Sequence, residues 1–513
     1  AKLPDFTREA AQSSELGILQ RAIKSGGRGT SLRKLFGQIP NILPRLCPCM
    51  LMSPISVAQY IDPNKSPFDL VIFDEASQLT TSKAVGVIAR GQNAVIVGDP
   101  KQMPPTSFFS SAAVDEDNLD LEDMESILDD CLALNMPQTH LLWHYRSRHE
   151  SLIAFSNHNF YESKLFTFPS VDDRESKVNF VHVNGTFDHG SGKRYNKEEA
   201  EAVVKELIRR SKDPKLSKYS VGVVTFNIPQ QNLIDDLFTE ACKTDLELES
   251  WADKKEDPLF NKNLENVQGD ERDVIIFSVG YGPDKEGKVS MNFGPLNKDG
   301  GWRRLNVAVS RSKREMMVFS SMLPEHIDTN KTKAEGVIAL RNFLDFARNP
   351  KGYSFSAEKN SAQNGIIKSL SKILKDQGYA VDTNIGNSEF KVDLGVIDPK
   401  NENRYLLGIL LDGPVYAECK TTRDRELSQA SVLRGLGWNI VRMWSMDWWE
   451  NRDIEIDKLL DTLDKLKNAQ PIEPEKKEDP KEELKPVEYE EPGTAPTSES
   501  GIFTKPYTAT QLP

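Results

Sequence analysis

Five short stretches of the 513-residue chain bring together side chains that can handle phosphate and metal ions. Phe68-Asp69-Leu70-Val71-Ile72-Phe73 runs directly into Asp74-Glu75-Ala76-Ser77. An acid at the end of a buried apolar strand can hold Mg²⁺ against a polyphosphate, and a second acid beside it can orient or deprotonate the attacking water. In Val97-Gly98-Asp99-Pro100-Lys101-Gln102-Met103-Pro104-Pro105, glycine and proline fix a tight loop that aims Asp99 and Gln102 over the neighbouring strand. From there the Gln102 amide could hydrogen-bond a γ-phosphate. His144-Tyr145-Arg146-Ser147-Arg148 follows an apolar run, and Asn266-Val267-Gln268-Gly269-Asp270-Glu271-Arg272-Asp273 precedes one. The segment from Arg303 to Arg314 spaces its charges at helical intervals, which predicts Arg304, Arg311 and Arg314 near one face of a helix. Arginine suits polyphosphate because its planar fork stays charged and binds in a bidentate manner. Each stretch by itself reads equally as a surface turn or a solvated helix face.

Side-chain tips so far apart in the chain need a scaffold that gathers them. Leu70 to Phe73, Ala94 to Val97, Val221 to Phe226, Val274 to Phe277 and Met316 to Phe319 are apolar on both faces, as strands of a covered parallel sheet should be. Helical spacing lies between them, for example from Glu198 to Arg210. The alternation predicts a doubly wound α/β fold, with ligands at the carboxyl ends of the strands.

The succession DEAS, GDPKQMPP, HYRSRHE, NVQGDERD and LNVAVSRSK resembles motifs II to VI of superfamily 1 helicases, in the 5′-to-3′ branch that includes the RNA-surveillance helicases. The likeness covers roughly residues 40 to 325 and keeps all five motifs in order. It implies two RecA-like lobes with ATP hydrolysed between them. By that likeness Asp74 binds Mg²⁺, Glu75 activates water and Gln102 senses the γ-phosphate. Arg146 and Arg311 would be arginine fingers, while Gly269 and Glu271 would contact nucleotide and couple the lobes. The segment Cys49 to Gln59 looks like the strand-contacting part of the first lobe. Ser53 and Pro54 there, with Pro104 and Pro105, are the expected nucleic-acid contacts.

After Pro350 the pattern changes to helix, strand, strand, helix, strand, the kernel of restriction-endonuclease-like folds. Residues 353 to 468 resemble endonuclease domains related to very-short-patch repair nucleases, which follow helicase modules in large bacterial proteins. The shared marks are Val392-Asp393-Leu394, Leu411-Asp412-Gly413, Arg423-Asp424-Arg425, Gly437-Trp438 and Trp444-Ser445. The likeness makes Asp393 and Asp412 metal-ligand candidates and Lys420 a candidate for charge stabilisation. Many relatives carry an acid where this chain has Leu410, and the helix from Asn364 to Gln377 has no glutamate. Two readings stay open: a Mg²⁺-dependent endonuclease, or a retired one kept for docking or DNA binding.

Lys and Arg number 65 against 77 Asp and Glu, a formal charge of −12. Such acidity argues against a protein that coats nucleic acid indiscriminately, but it leaves room for a local basic channel. The excess is concentrated between Pro471 and Gly493, where nine acids face four lysines and prolines recur. A segment that polar cannot offset the entropy of ordering, so residues 469 to 513 are expected to be a disordered linker or tail. Five cysteines in a chain of this length exclude a disulfide scaffold. With no uncharged run near the ~18 residues of a membrane helix and no signal-peptide pattern, a cytoplasmic protein with no membrane association is expected.

The expected plan is therefore the later part of a first RecA-like lobe (1–137), a second lobe (138–350), a nuclease-like domain (353–468) and an acidic tail (469–513). The expected function is an ATP-dependent helicase or translocase on nucleic acid, single-stranded DNA ahead of RNA. A non-catalytic nucleic-acid-binding scaffold with a degenerate nuclease domain, or an RNA helicase, are the alternatives. One part is missing: no G-x-x-x-x-G-K-[ST] occurs in the sequence. Gly26-Gly27-Arg28-Gly29-Thr30-Ser31 has no lysine before its threonine, and Gly190-Ser191-Gly192-Lys193 continues into Arg194. Because that loop cradles the phosphates ahead of motif II, the chain is expected to be part of a larger protein. Residues 1 to 513 alone should show no nucleic-acid-stimulated ATPase, and robust turnover by them in a phosphate-release assay would overturn this reading.

Overall fold

The computed structural model describes residues 11, 13–64, 67–105, 126–190, 193–254, 256–350, 365–388, 390–413, 416–417, 421–423, 425 and 429–468. Residues 1–463 form one compact unit, and 464–513 are a second. The expected tail, 469–513, lies outside the described residues.

Helix α1 (Pro54–Tyr60) begins where the Ser53 hydroxyl accepts the Ser56 amide and Pro54 occupies the first turn. Strand β1 (Phe68–Phe73) is followed by α2 (Thr81–Ile88) and then by β2 (Gly91–Ile96), which pairs with β1 in parallel. Phe73, Ala76, Ala84 and Val87 pack with Ile127 and Leu128 of α3 (Ile127–Ala133). The sequence predicts cover on both faces of these strands. Among the described residues only one face of β1 and β2 is covered, since α1 to α3 all contribute to the cluster around Phe73. Leu70, Ile72 and Val95 remain 47%, 62% and 45% exposed.

The next lobe follows the expectation closely. Helix α4 (Ser151–Phe160) precedes β3 (Val178–His182), and a two-residue ladder joins β4 (Phe187–Asp188) to β5 (Tyr195–Asn196). Then come α5 (Lys197–Lys212), β6 (Val221–Thr225), α6 (Ile228–Thr244), β7 (Phe260–Asn263), β8 (Arg272–Ser278), α7 (Trp302–Val309), β9 (Ser312–Ser320) and α8 (Glu335–Arg348). The sheet is parallel throughout, in the order β3-β9-β8-β6-β7. Apolar side chains of α4, α7 and α8 make one core against it, and those of α5 and α6 make another. Two-sided cover explains why Val274 to Phe277 are apolar at every position.

The expectation that Arg304, Arg311 and Arg314 share a helix face is not met. Helix α7 ends at Val309, Arg311 lies in the following turn, and Arg314 belongs to β9. The apolar run from Met316 to Phe319 takes an interior place in the sheet between β3 and β8, and the chain must leave the helix to reach it.

The last part contains α9 (Gly365–Asp376), β10 (Val381–Ile385), β11 (Val392–Asp398), β12 (Asn401–Leu411), α10 (Gln429–Gly435), β13 (Ile440–Met443), α11 (Ser445–Glu450) and α12 (Arg452–Asn468). The order β10-β11-β12-β13 is antiparallel except for the last pair. Sequence analysis did not anticipate β10, an edge strand whose Val-Asp-Thr-Asn-Ile carries little apolar signal. It also left unassigned a crossing segment. Phe168 and Val171, from between α4 and β3, sit in the same core cluster as Ile385, Phe390, Val392, Leu410 and Trp438.

Glu199 is fully buried at the start of α5. Its carboxylate accepts from the Ser278 hydroxyl at 2.8 Å, the Gly280 amide at 2.7 Å and the Ser321 amide at 3.1 Å, tying the helix to the ends of β8 and β9. Burial pushes its pKa up to about 7, against the pull of these donors. A folded-state value above the ordinary one means that this group's contribution is complete below about pH 4.5 and lost as pH rises through about 7. The stability difference between wild type and Glu199→Gln, followed by urea unfolding, should therefore move against wild type by at most about 1.4 kcal/mol per pH unit across that window. A difference that is flat with pH would contradict it.

Candidate active site

Strand β1 ends at Phe73, and Asp74 is exposed just beyond it. Glu75 adopts the left-handed conformation (φ 52°), rare for a residue with a side chain, before the Ala76 amide bonds the Val97 carbonyl at 2.9 Å. That turn brings the ends of β1 and β2 close together. A Cβ on Gly98 would lie 2.9 Å from the Ser77 nitrogen, so glycine is required there. Glu75 Oε2 accepts from the Gln78 amide at 3.1 Å.

Asp99 organises the next loop. Its carboxylate accepts from the Lys101 amide at 2.9 Å, from Gln102 Nε2 at 3.1 Å and from the Tyr161 hydroxyl at 2.7 Å. With the Gln102 amide so oriented, Oε1 meets Gln268 Nε2 at 3.4 Å and Arg311 Nη2 at 3.5 Å. The following Met103 is buried in the core cluster of α4, α7 and α8. Pro104 is half-buried and Pro105 buried, while Ser53 is exposed and Pro54 half-buried in the cap of α1.

Arg311 is 3% exposed, and its Nε donates to the Val307 carbonyl at 2.7 Å. Burial, together with the neighbouring Arg146, pushes its pKa down to about 10, and Glu75 acts in the opposite sense. Arg146 Nε bonds Glu271 Oε2 at 2.8 Å, and Lys313 Nζ approaches Glu271 Oε1 at 2.9 Å. The Lys313 hydrogen bond, helped by the charges of Lys313 and Arg146, holds the Glu271 carboxyl below its ordinary range. Gly269 (φ 90°) supplies a left-handed turn between Gln268 and Glu271. Asn306 Nδ2 reaches the Lys101 carbonyl at 2.8 Å and the Tyr161 oxygen at 3.0 Å. Gln268 Oε1 and Asn306 Oδ1 are buried without a hydrogen-bond partner, as acceptors awaiting a polar ligand or water would be.

The structure thus links Gln102 to Arg311 and Arg146 to Glu271 by direct contacts, with Gly269 beside Gln268, Glu75 near enough to act on the charge of Arg311, and Asp74 adjoining Glu75. Ser53 and Pro54 enter none of these contacts. Sequence analysis missed Gln268, Asn306, Lys313 and Tyr161. The first three lie inside or beside the quoted motifs, where their amide and ammonium groups were a usable signal. Tyr161 carries no local signal, since only folding brings α4 over the Asp99 loop.

In the last domain, Asp393 Oδ2 accepts the Leu411 amide at 2.8 Å, and burial pushes its pKa up to about 6. Asp412 Oδ1 accepts both the amide of Ser445 at 2.9 Å and its hydroxyl at 2.5 Å, which caps the start of α11. Leu410 is 3% exposed within the core. Lys420 lies outside the described residues. Among the described residues no cluster of three or more His, Cys, Asp or Glu is arranged to hold a metal ion. These carboxylates do not fit a shared Mg²⁺, because an oxygen of Asp412 is already committed to two donors and the third acid position is a core leucine. The aromatic residues divide here as well: Trp448 is 3% exposed and Trp449 76%.

Comparison with known proteins finds similar domains. AAA-domain family models match residues 55–110 (AAA_11) and 124–323 (AAA_12), and a restriction-endonuclease-like model, REase_MTES_1575, matches 367–463. Over these residues the chain is similar to superfamily 1 ATP-dependent helicases. It is 28% identical over 459 residues to the uncharacterized ATP-dependent helicase MG140 of Mycoplasma genitalium, covering 82% of this chain and 39% of that protein. The uncharacterized ATP-dependent helicase MJ0104 of Methanocaldococcus jannaschii is 28% identical over 279 residues, 50% of this chain and 36% of its own length. The DNA replication ATP-dependent helicase/nuclease DNA2 of Gallus gallus is 25% identical over 252 residues, 49% and 23%. The chain spans well under half the length of these relatives.

If Asp412 serves as a helix cap, Asp412→Ala should cost about 0.5–2 kcal/mol of stability. Calorimetry in EDTA would then show a lower unfolding midpoint for the variant. A midpoint equal to wild type in EDTA and lower only with Mg²⁺ would assign Asp412 to metal instead.

Proposed function

We propose that this chain supplies the hydrolytic and stepping machinery of an ATP-driven superfamily 1 helicase or translocase in the bacterial cytoplasm. The observation that carries the proposal is the meeting of Gln102 from the β2 loop with Gln268 and Arg311 from the second lobe, at 3.4 and 3.5 Å. A glutamine that touches phosphate in one lobe and a guanidinium in the other can convert the state of the phosphate into lobe movement.

Asp74, an exposed carboxylate at a strand end, has the oxygen-donor chemistry that Mg²⁺ takes and would hold it. The ion would neutralise charge on the phosphates. Glu75, turned by its left-handed backbone, orients and deprotonates the attacking water. Arg311 and Arg146 stabilise charge that develops on the transferred phosphoryl group, where arginine fingers are worth about 10³ to 10⁵ in rate. Gly269 leaves the backbone open to the nucleotide, and Glu271 keeps Arg146 extended until ATP competes for it. Ser53, Pro54 and Pro104 are the proposed contacts to the track, while Pro105 is buried and would have to be uncovered to join them. Single-stranded DNA is the preferred track, supported by the DNA-named helicase/nuclease among the relatives, and RNA is the second. Motors of this type grip backbone and stack on bases, which tolerates either.

The nuclease-like domain is proposed not to cut. Leu410 occupies the place of a metal-binding acid and Asp412 is engaged by Ser445. Glu75→Gln in the full-length polypeptide should reduce single-stranded-DNA-stimulated ATPase by about 10³-fold or more while leaving strand binding intact. Stimulation by DNA and by RNA, compared in one assay, assigns the track. Unchanged ATPase in Glu75→Gln would favour the scaffold alternative.

A further inference from the structure

Arg146 lies in a short segment that is fastened at both ends to the nuclease-like domain. Upstream, the His144 amide bonds the Phe166 carbonyl at 2.9 Å and the Phe166 amide bonds the Leu142 carbonyl at 2.7 Å. This bridge sets Trp143 against Phe168 at 5.4 Å and Phe390 at 5.2 Å, and Phe168 stacks on Phe390 at 4.7 Å. The crossing segment then enters the domain. Its Pro169 carbonyl accepts from Trp438 Nε1, and its Val171 carbonyl accepts from the Tyr405 amide, both at 2.8 Å.

Downstream, Glu150 stands just before α4 and is 3% exposed. Both of its oxygens accept the Asn387 amide, at 3.2 and 3.0 Å, and Oε1 also accepts the Thr167 hydroxyl. Ser388 completes the junction: its Oγ accepts the Thr167 amide at 3.1 Å and donates to the Thr167 carbonyl at 2.5 Å. Gly386 allows the turn, with φ 122° and Pro169 so close that a Cβ would lie 3.3 Å from its Cδ. A carboxylate buried this deeply needs every donor it has. Two of these contacts come from the nuclease-like domain.

Trp143 and Glu150 are therefore fixed points on either side of Arg146, both set by Asn387 and Phe390 of one loop. An extended chain advances only ~3.3–3.6 Å per residue. The finger cannot travel far unless one of these anchors yields.

We infer that the loop carrying Asn387 and Phe390 is a brace for the arginine finger, and that Phe390, Trp143 and Glu150 are positioning residues for ATP hydrolysis, acting through Arg146. This inference rests on the motor reading above. It makes the nuclease-like domain part of the ATPase, whatever its own chemistry. A ligand that moved this loop would change the rate of hydrolysis.

The test uses the full-length protein with saturating single-stranded DNA. Phe390→Ala should lower kcat about tenfold or more with KM for ATP within about twofold of wild type, since misplacing a catalytic group by ~1 Å costs about 10²-fold. Glu150→Gln, nearly isosteric but short of an acceptor, should do the same from the other anchor. Phe390→Leu, which keeps most of the apolar volume, should recover most of kcat. Leu374→Val, a core change in α9 away from the loop, should leave kcat unchanged, with thermal unfolding showing all four variants folded at the assay temperature. If Arg146→Ala abolishes turnover while Phe390→Ala and Glu150→Gln retain wild-type kcat, the brace is wrong and the motor reading stands. If wild type shows no stimulated turnover, or Arg146→Ala keeps it, both fail.

Discussion

A guanidinium withdrawn from water must be surrounded by acceptors, and the site is arranged around that constraint at Arg311. The side chain is 3% exposed and retains its charge by bonding the Val307 carbonyl, approaching Gln102 and sensing the field of Glu75. These partners come from three different stretches. Val307 is on the helix that ends one turn earlier, Gln102 follows β2, and Glu75 follows β1. Gln102 and Glu75 belong to the first lobe and Arg311 to the second, so a change in lobe position changes the surroundings of this cation. Tyr161 adds to the same junction by bridging Asp99 and Asn306. Burial and the nearby Asp99 raise its pKa, so it remains a hydroxyl and can donate.

The nuclease-like domain is built on apolar strands that need no bound metal to pack. Strands β11 and β12 still supply the buried apolar ladder, and Leu394, Ile409 and Leu411 would pack whether or not metal were bound. Leu410 faces the other side of β12, in the core cluster that contains Val392 and Trp438. Asp412 accepts the amide and hydroxyl of Ser445 at the start of α11. Asp393 stays buried, with its pKa raised, next to the Leu411 amide.

The junction between this domain and the second lobe is polar at one end and aromatic at the other. Burial raises the pKa of Glu150 and of Asp173, and the charge of Glu150 adds to the rise at Asp173. His149 beside them is pushed down to about 4 by burial and is neutral. Such a network is fully satisfied only when the crossing segment and the Asn387 loop are both in place. The aromatic end, where Trp143, Phe166, Phe168 and Phe390 meet, contributes directionless apolar burial. Together they make the orientation of the domain specific as well as stable.

Sequence by itself determined the elements of the parallel lobe and the order of the five motifs. Strands buried on both faces are apolar at every position, and strand-end residues of unusual chemistry stand out against them. The resemblance to endonuclease domains, and not the sequence alone, marks Leu410 as a departure, since a leucine in an apolar strand is otherwise ordinary. Only tertiary structure decided that α7 stops before Arg311, because the pull of the sheet on Met316 to Phe319 is not a local property. The same holds for Tyr161 over Asp99, for Asp412 as a cap on α11, and for Phe168 and Val171 inside a domain that begins some two hundred residues later. Periodicity reports which face of an element is apolar. Which distant surface covers that face is fixed by complementarity across the chain, and no single stretch of sequence contains it.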